Sequence, residues 1–230
     1  MDFSKLSGQI FYHNKFIKHR DAKIHVLNHS LHFAGSVFEG IAVYNSKPLF
    51  LNDHYSRLKM SSKLMKLVLH INLNSFKKIC ESLIKKNKIK NGYIRPIIFR
   101  SSHSMSPETA KCKSILVIAT WNWGKLFKKK GIKINISKYP KLNKSIFPIE
   151  AKSSGSYQSS VIAKIEASKK GYDDCLMLDI NNKIAETTAC NIFWIKKKTI
   201  FTPGISSILN GITRRSIIEI CKLKKIDIKI

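Results

Sequence analysis

Ala151-Lys152-Ser153-Ser154-Gly155-Ser156-Tyr157 sets one lysine among small residues, with a tyrosine five positions on. Most other lysines of the chain stand in runs or beside polar residues, whereas Lys152 follows an apolar stretch and has neighbours too small to crowd a ligand. Two readings compete for it. In a chain this rich in lysine, such a residue beside a Ser/Gly turn is ordinarily a solvated loop side chain. It becomes a nucleophile only where its amine can lose its proton, and partial burial or a nearby cation lowers its pKa toward neutrality. The rest of the chain decides between them.

The 230 residues, 43% of them hydrophobic, suffice for one large domain or two modest ones around a sizeable core. Met1 to Lys15 alternates polar and apolar residues, so no signal peptide is expected, and the longest apolar run, Ile115 to Thr120, is strand-sized. No membrane association follows from it. The cysteines Cys80, Cys112, Cys175, Cys190 and Cys221 are widely spaced without a CxxC pair. That points away from a disulfide framework or a metal site and toward a cytoplasmic protein. A formal charge of +28 raises the question of nucleic acid. The 42 basic residues, however, are nearly all lysine and are spread along a chain equally heavy in Ile and Asn, the pattern of compositional bias. No nucleic-acid partner is expected. The same bias makes the arginines (Arg20, Arg57, Arg95, Arg100, Arg214, Arg215) more informative, because only a guanidinium offers a planar fork for phosphate or carboxylate.

Gly8 to Phe16 reads as a hairpin about His13-Asn14, and Lys23 to Leu27 as a further strand. Asn28 to Ile41 alternates small and aromatic residues; its glycines either let backbone approach a ligand or merely permit a turn. Ile41–Tyr44 and Pro48–Leu51 flank a tight turn. Asn52 or Asp53 can cap a helix that places Leu58, Ser61 and Met65 on one face with Arg57 at its edge, either as a solvated charge or as an anion ligand. A second helix is predicted over Ser75 to Lys86, with Phe76, Ile79, Cys80, Leu83 and Ile84 inward. Tyr93–Phe99 and Ser114–Thr120 read as buried strands, Pro96 suggesting an edge or a bulge. Residues 1–124 are thus an α+β domain, 125–131 a connection, and 132–230 a second domain. In the latter, Ile132, Ile134 and Ile136 alternate as in a half-buried strand, and Ser156 can cap a helix from Tyr157 to Lys170 carrying Val161, Ile162, Ile165 and Ala167. Strands are predicted over Cys175–Ile180, Asn191–Ile195 and Thr199–Thr202. Gly211-Ile212-Thr213 opens a helix whose first N–H groups suit an anion. The chain stops at Ile226–Ile230 as a strand begins, which reads as a truncated end.

Together, Lys152, Tyr157, the carboxylate of Glu186, Arg57 and the Ile212-Thr213 turn match the needs of pyridoxal 5′-phosphate: an amine to bind its aldehyde, a carboxylate for its pyridine nitrogen, and cationic or N–H groups for its phosphate. Five motifs in order carry a resemblance: His29-Ser30-Leu31-His32-Phe33 through Val37-Phe38-Glu39-Gly40-Ile41, Tyr93-Ile94-Arg95-Pro96, the Lys152 stretch, Ala185-Glu186 with Asn191-Ile192-Phe193, and Leu209-Asn210-Gly211-Ile212-Thr213-Arg214. The chain resembles the fold-type IV pyridoxal phosphate enzymes and, among them, the branched-chain amino-acid aminotransferases.

The resemblance implies an α+β, two-domain fold: a small α/β domain, and a larger, mixed, β-barrel-like domain with helices, incomplete at the C-terminus. It implies that Lys152 is the catalytic lysine and also holds the cofactor, that Glu186 faces the pyridine nitrogen, and that Tyr157 meets the phenolic oxygen. Arg57, Ile212 and Thr213 would bind the phosphate, and Leu209 and Gly211 would also contact the cofactor. Phe33, Phe38, Gly40, Tyr93 and Trp123 would line the substrate pocket, and Arg95 would meet the side-chain carboxylate of glutamate. The substrates would be leucine, isoleucine and valine with 2-oxoglutarate, in a homodimer or larger assembly. Phe33 stands where the family usually has tyrosine, Ala42 where it usually has arginine, and Thr187-Thr188-Ala189-Cys190 replaces a glycine-richer run. These differences bear on substrate range. D-amino-acid transamination, amine transamination and aminodeoxychorismate lyase chemistry are the sister activities, and an inactive truncated remnant is the remaining alternative.

Overall fold

Two residues of positive φ, His13 (44°) and Asn14 (67°), close the N-terminal hairpin of β1 (Gln9–Tyr12) and β2 (Lys15–Lys18) where the turn-prone pair predicts it. The structure is a computed structural model that describes residues 2–124 and 130–230. Its chain divides into two units, Met1–Leu126 with Ala151–Gly155, and Phe127–Glu150 with Ser156–Ile230. The connection expected at 125–131 therefore falls largely outside the described residues.

In the first unit, the strand expected over Lys23–Leu27 does not form. Leu27 N–H donates to His25 Nδ1 and Asn28 N–H to the His25 carbonyl, so the segment turns, and Val26 is 67% exposed with no ladder to join. Asn28 then caps α1 (His29–Phe33) by accepting from Ser30 N–H. β3 (Ser36–Phe38), β4 (Ile41–Tyr44) and β5 (Lys47–Pro48) follow, the last two joined through Asn45 and Ser46, both of positive φ. The second strand of this pair is shorter than expected because α2 (Leu51–Leu64) begins early. Its N-cap position is held by Phe50 in the left-handed region, while Asp53 lies in the first turn, where the helix dipole favours a carboxylate. α3 (Leu73–Lys86) is capped by Asn72.

β6 (Gly92–Arg100) and β7 (Ser114–Asn122) are paired along their whole length. The sheet runs β2-β1-β7-β6-β4-β5, with β3 also on β6, and all its pairings are antiparallel. Pro96 is thus in a central strand rather than at an edge. It falls in the gap between the stretches paired to β3 and β4, where its carbonyl accepts Glu39 N–H at 2.9 Å and its missing N–H is not needed. α2 and α3 bury Leu58, Phe76, Cys80 and Leu83 against Val37, Ile41, Ile94, Ile98 and Ile118. Strand alternation sends Tyr93 and Arg95 to the opposite face of β6.

In the second unit, β8 (Ile134–Ile136) precedes a 3₁₀ turn at Ser154–Tyr157 that leads into α4 (Gln158–Lys169). Then come β9 (Asp174–Leu178), β10 (Ile184–Thr187), β11 (Trp194–Lys196), β12 (Thr199–Phe201), α5 (Ile212–Leu223) and β13 (Ile228–Lys229). They build two three-stranded sheets, β10-β9-β8 and β11-β12-β13, with no closed barrel among the described residues. The face of α4 differs from expectation. Ser160, Ala163 and Ala167 turn inward, the alanines packing on Cys175 and Met177, while Val161, Ile162 and Ile165 are exposed. The small side chains let the helix lie close to β9. Ile134 and Ile136 are likewise exposed, so the expected alternation of β8 is present with its faces reversed.

Candidate active site

Residues 151–155, expected in the larger domain, pack with the first unit. The reason is backbone pairing. Phe38 N–H donates to the Lys152 carbonyl at 3.0 Å, Lys152 N–H donates to Ser61 Oγ at 3.0 Å, and Ser153 bridges Val37. Ala151 and Ser153 are buried, so the small residues serve close packing around the lysine. Lys152 itself is half-buried, with Nζ 5.0 Å from the Phe38 ring centroid.

The same ring carries the Arg95 guanidinium at 4.8 Å, and Tyr93 carries it at 5.4 Å. Tyr93 continues into Trp123, 4.7 Å away edge to face. A Cβ added to Gly40 would stand 1.6 Å from Tyr93 Oη, so only glycine leaves the tyrosine its place. Five of the predicted pocket residues, Phe38, Gly40, Tyr93, Arg95 and Trp123, therefore form one cluster with Lys152. Phe33 is exposed at the end of α1, its ring 4.7 Å from that of His29. Among the described residues Arg95 Nε is buried without a hydrogen-bond partner, and the guanidinium stands over the Phe38 and Tyr93 rings. Such a group favours an anionic ligand.

Arg57 lies deeper than its helix-edge position suggests. Its Nε and Nη2 donate to the Glu39 carboxylate at 2.6 and 2.7 Å, and His54 Nδ1 lies 2.7 Å from Glu39 Oε2. Glu39 is fully buried and the Arg57 side chain only 10% exposed. Burial pushes the Glu39 carboxyl up, but the Arg57 and His54 hydrogen bonds outweigh it and hold the group below the ordinary glutamate value. One fork edge of Arg57 is thus spent on Glu39, and Nη1 is left for a further acceptor. Sequence reasoning does not single out Glu39 and His54 as functional groups. The available signal is a carboxylate inside an apolar motif, matched by His54 and Arg57 three apart on one helix face.

In the second unit, Glu186 on β10 is buried. Its Oε1 lies 3.0 Å from Lys141 Nζ, and its Oε2 accepts from Asn191 Nδ2 at 3.1 Å. Asn191 also donates to the Leu209 carbonyl at 2.9 Å, and a Cβ on Gly211 would come within 1.9 Å of Asn191 Oδ1. The carboxylate and the Leu209–Gly211 turn are therefore tied through one amide. Gly211 caps α5 without any side-chain hydrogen bond, so the N–H groups of that helix end have no side-chain acceptor at the cap. Tyr157, the last residue of the 3₁₀ turn, is half-buried with its ring 5.9 Å from Lys141 Nζ. Among the described residues no cluster of His, Cys, Asp or Glu could hold a metal ion, and no helix is long and apolar enough to cross a membrane.

The profile of the family described as "Amino-transferase class IV" matches residues 36–230. The chain belongs to the class IV aminotransferases. A probable branched-chain-amino-acid aminotransferase of Rickettsia conorii is 38% identical to this aminotransferase over 225 residues, covering 96% of the chain and 78% of the relative. The branched-chain aminotransferase of Thermoproteus uzoniensis, solved with norvaline, superposes with a TM-score of 0.92 at 30% identity, over 97% of this chain and 77% of that one. The branched-chain amino acid aminotransferase of T.th., solved with pyridoxamine 5′-phosphate, superposes with a TM-score of 0.91 at 27% identity, over 97% of this chain and 76% of that one. The fold is thus the mixed α+β fold-type IV architecture. The donor chemistry within each unit suits part of a phosphorylated pyridine: a half-buried lysine and an arginine in the first, a buried carboxylate, a tyrosine and a helix N-terminus without a side-chain cap in the second.

Proposed function

We propose that this class IV aminotransferase binds pyridoxal 5′-phosphate and moves the amino group of leucine, isoleucine or valine to 2-oxoglutarate, yielding branched 2-oxo acids and glutamate. The observation that carries the reading is the cluster in which Lys152 and Arg95 share the Phe38 ring, with Tyr93 and Trp123 beside it. An aromatic wall suits an aliphatic side chain, and a cation resting on rings can meet the second carboxylate of glutamate when that substrate replaces the first. When bound, the cofactor supplies an electron-accepting ring for the pair of electrons left when the substrate loses its Cα proton.

Lys152 Nζ takes that proton and returns it, which requires the amine in its neutral form. Glu186 holds the ring nitrogen protonated, and Tyr157 meets the phenolic oxygen. Arg57, Ile212 and Thr213 would hold the phosphate, with Leu209 and Gly211 also against the cofactor. We place the enzyme in the cytoplasm as a homodimer, for which exposed Ile24, Val26, Leu27, Leu31 and Phe33 offer an apolar surface.

A substrate panel tests the reading. The chain reconstituted with pyridoxal 5′-phosphate is expected to turn over L-leucine, L-isoleucine and L-valine with 2-oxoglutarate in preference to D-alanine, an (R)-amine or aminodeoxychorismate. Turnover of D-alanine without L-leucine would assign it to a sister activity. No cofactor binding at all would identify an inactive remnant.

Arg57 has its own test. Removing it to alanine would also strip Glu39 of its partner, so Arg57→Lys is the informative variant, keeping a cation but losing the planar fork. The cofactor dissociation constant should rise by the equivalent of about 1.5–3 kcal/mol, the worth of a charge-assisted bond. An unchanged constant would leave Arg57 a structural partner of Glu39 alone.

A further inference from the structure

Lys141 lies in Lys138-Tyr139-Pro140-Lys141-Leu142-Asn143-Lys144, where sequence gives no reason to separate it from its neighbours. The structure separates it sharply. The side chains of Lys138 and Lys144 are 66% and 49% exposed, that of Lys141 only 11%. Its N–H donates to the Leu178 carbonyl at 2.8 Å, anchoring the loop to the end of β9. Its ammonium lies 3.0 Å from Glu186 Oε1, donates to Ser160 Oγ at 3.2 Å, and sits 5.9 Å from the Tyr157 ring centroid. One cation thus touches Glu186 on β10 and the first turn of α4, which directly follows Tyr157 of the 3₁₀ turn.

We propose that Lys141 is a positioning residue that fixes Glu186 as an oriented, ionised carboxylate for the ring nitrogen of the cofactor. The inference rests on the function proposed above. A carboxylate this far out of water is costly unless compensated, and a neutral carboxyl would offer its own proton where an acceptor is required. Lys141 on Oε1 and Asn191 on Oε2 hold both oxygens, which fixes the carboxylate plane. A carboxylate accepts at about four lone-pair sites, so a ligand N–H can join the bonds already made. A flexible lysine among many would have no such effect. This one is immobilised by the Leu178 backbone bond and by Ser160.

The test is a double-mutant cycle on the full chain with pyridoxal 5′-phosphate, using Lys141→Met and Glu186→Gln, with Lys141→Arg as the conservative variant. Three quantities are read: kcat and KM for L-leucine, the cofactor dissociation constant by equilibrium dialysis, and the melting temperature of the cofactor-free protein. Lys141→Met should lower kcat about tenfold or more while KM stays within about twofold, and Lys141→Arg should recover most of it. In the Glu186→Gln background the Lys141→Met change should shrink to about twofold or less, in kcat and in cofactor affinity alike, and the two melting shifts should be non-additive. Equal losses in both backgrounds, or a Lys141→Met protein with wild-type kcat, would overturn the proposal while leaving the enzyme reading intact. A wild-type chain that binds no cofactor would overturn the enzyme reading and this role with it. The melting cycle would then still report whether the two side chains are coupled.

Discussion

Lys152→Ala is expected to abolish transamination of L-leucine, with kcat falling at least about a thousandfold, because the proposed reaction needs an amine that both binds the cofactor aldehyde and carries the Cα proton, and alanine has none. Stability should change little. The bonds that hold residue 152 in place, from its N–H to Ser61 and from Phe38 to its carbonyl, are backbone bonds that alanine retains. Two measurements check this: steady-state turnover, and visible absorbance of the reconstituted protein, which the wild type should show and the variant should lose. A variant with near-normal turnover would return Lys152 to the solvated-loop reading.

Glu39→Ala should destabilise the first unit by about 3–5 kcal/mol, since it removes the carboxylate that neutralises the buried Arg57 guanidinium. Urea unfolding reads the loss directly. Glu39→Gln, which keeps the shape and part of the hydrogen bonding, should cost less. Acid titration supplies a second signature. The Glu39 carboxyl is held below its ordinary value of 4.5, so its contribution is full above that pH and is lost as pH falls through the lower folded value. Wild type should therefore lose stability below about pH 4.5 more steeply than Glu39→Gln does. Identical acid limbs for the two proteins would show that the network contributes nothing to folding.

Much of the first unit is legible in the sequence because its signals are local and regular. The His13-Asn14 turn, the alternation through β6 and β7, and the 3.6-residue spacing of Phe76, Cys80 and Leu83 each state a conformation that tertiary packing then accepts. Lys23–Leu27 misleads because its apolar residues satisfy strand propensity without a partner strand. In α4 the large apolar residues suggest the buried face, whereas close approach to β9 selects Ser160, Ala163 and Ala167. Pro96 points to an edge because the gap left by two short partner strands cannot be seen from β6 alone.

The site divides in the same way. Lys152, Glu186 and the Gly211-Ile212-Thr213 turn stand out because small, acidic or glycine-containing motifs are scarce in a lysine-rich chain. The partners that tune them do not. Glu39 reaches Arg57 across 18 residues and Lys141 reaches Glu186 across 45, and neither separation has a periodicity to announce it. In Lys141 the obstacle is composition itself, since burial of one lysine among so many is a tertiary fact.

Residues 151–155 belong to the first unit although the chain on either side of them belongs to the second. No single cut can therefore part this protein into its two units. A fragment ending near residue 126 would take the Glu39–Arg57 network and the aromatic cluster but leave the lysine behind. Limited proteolysis or gene splitting would yield pieces that each lack a member of the proposed site. An excised first unit that is meant to keep its reactive amine would have to carry the short 151–155 segment back as a separately supplied strand.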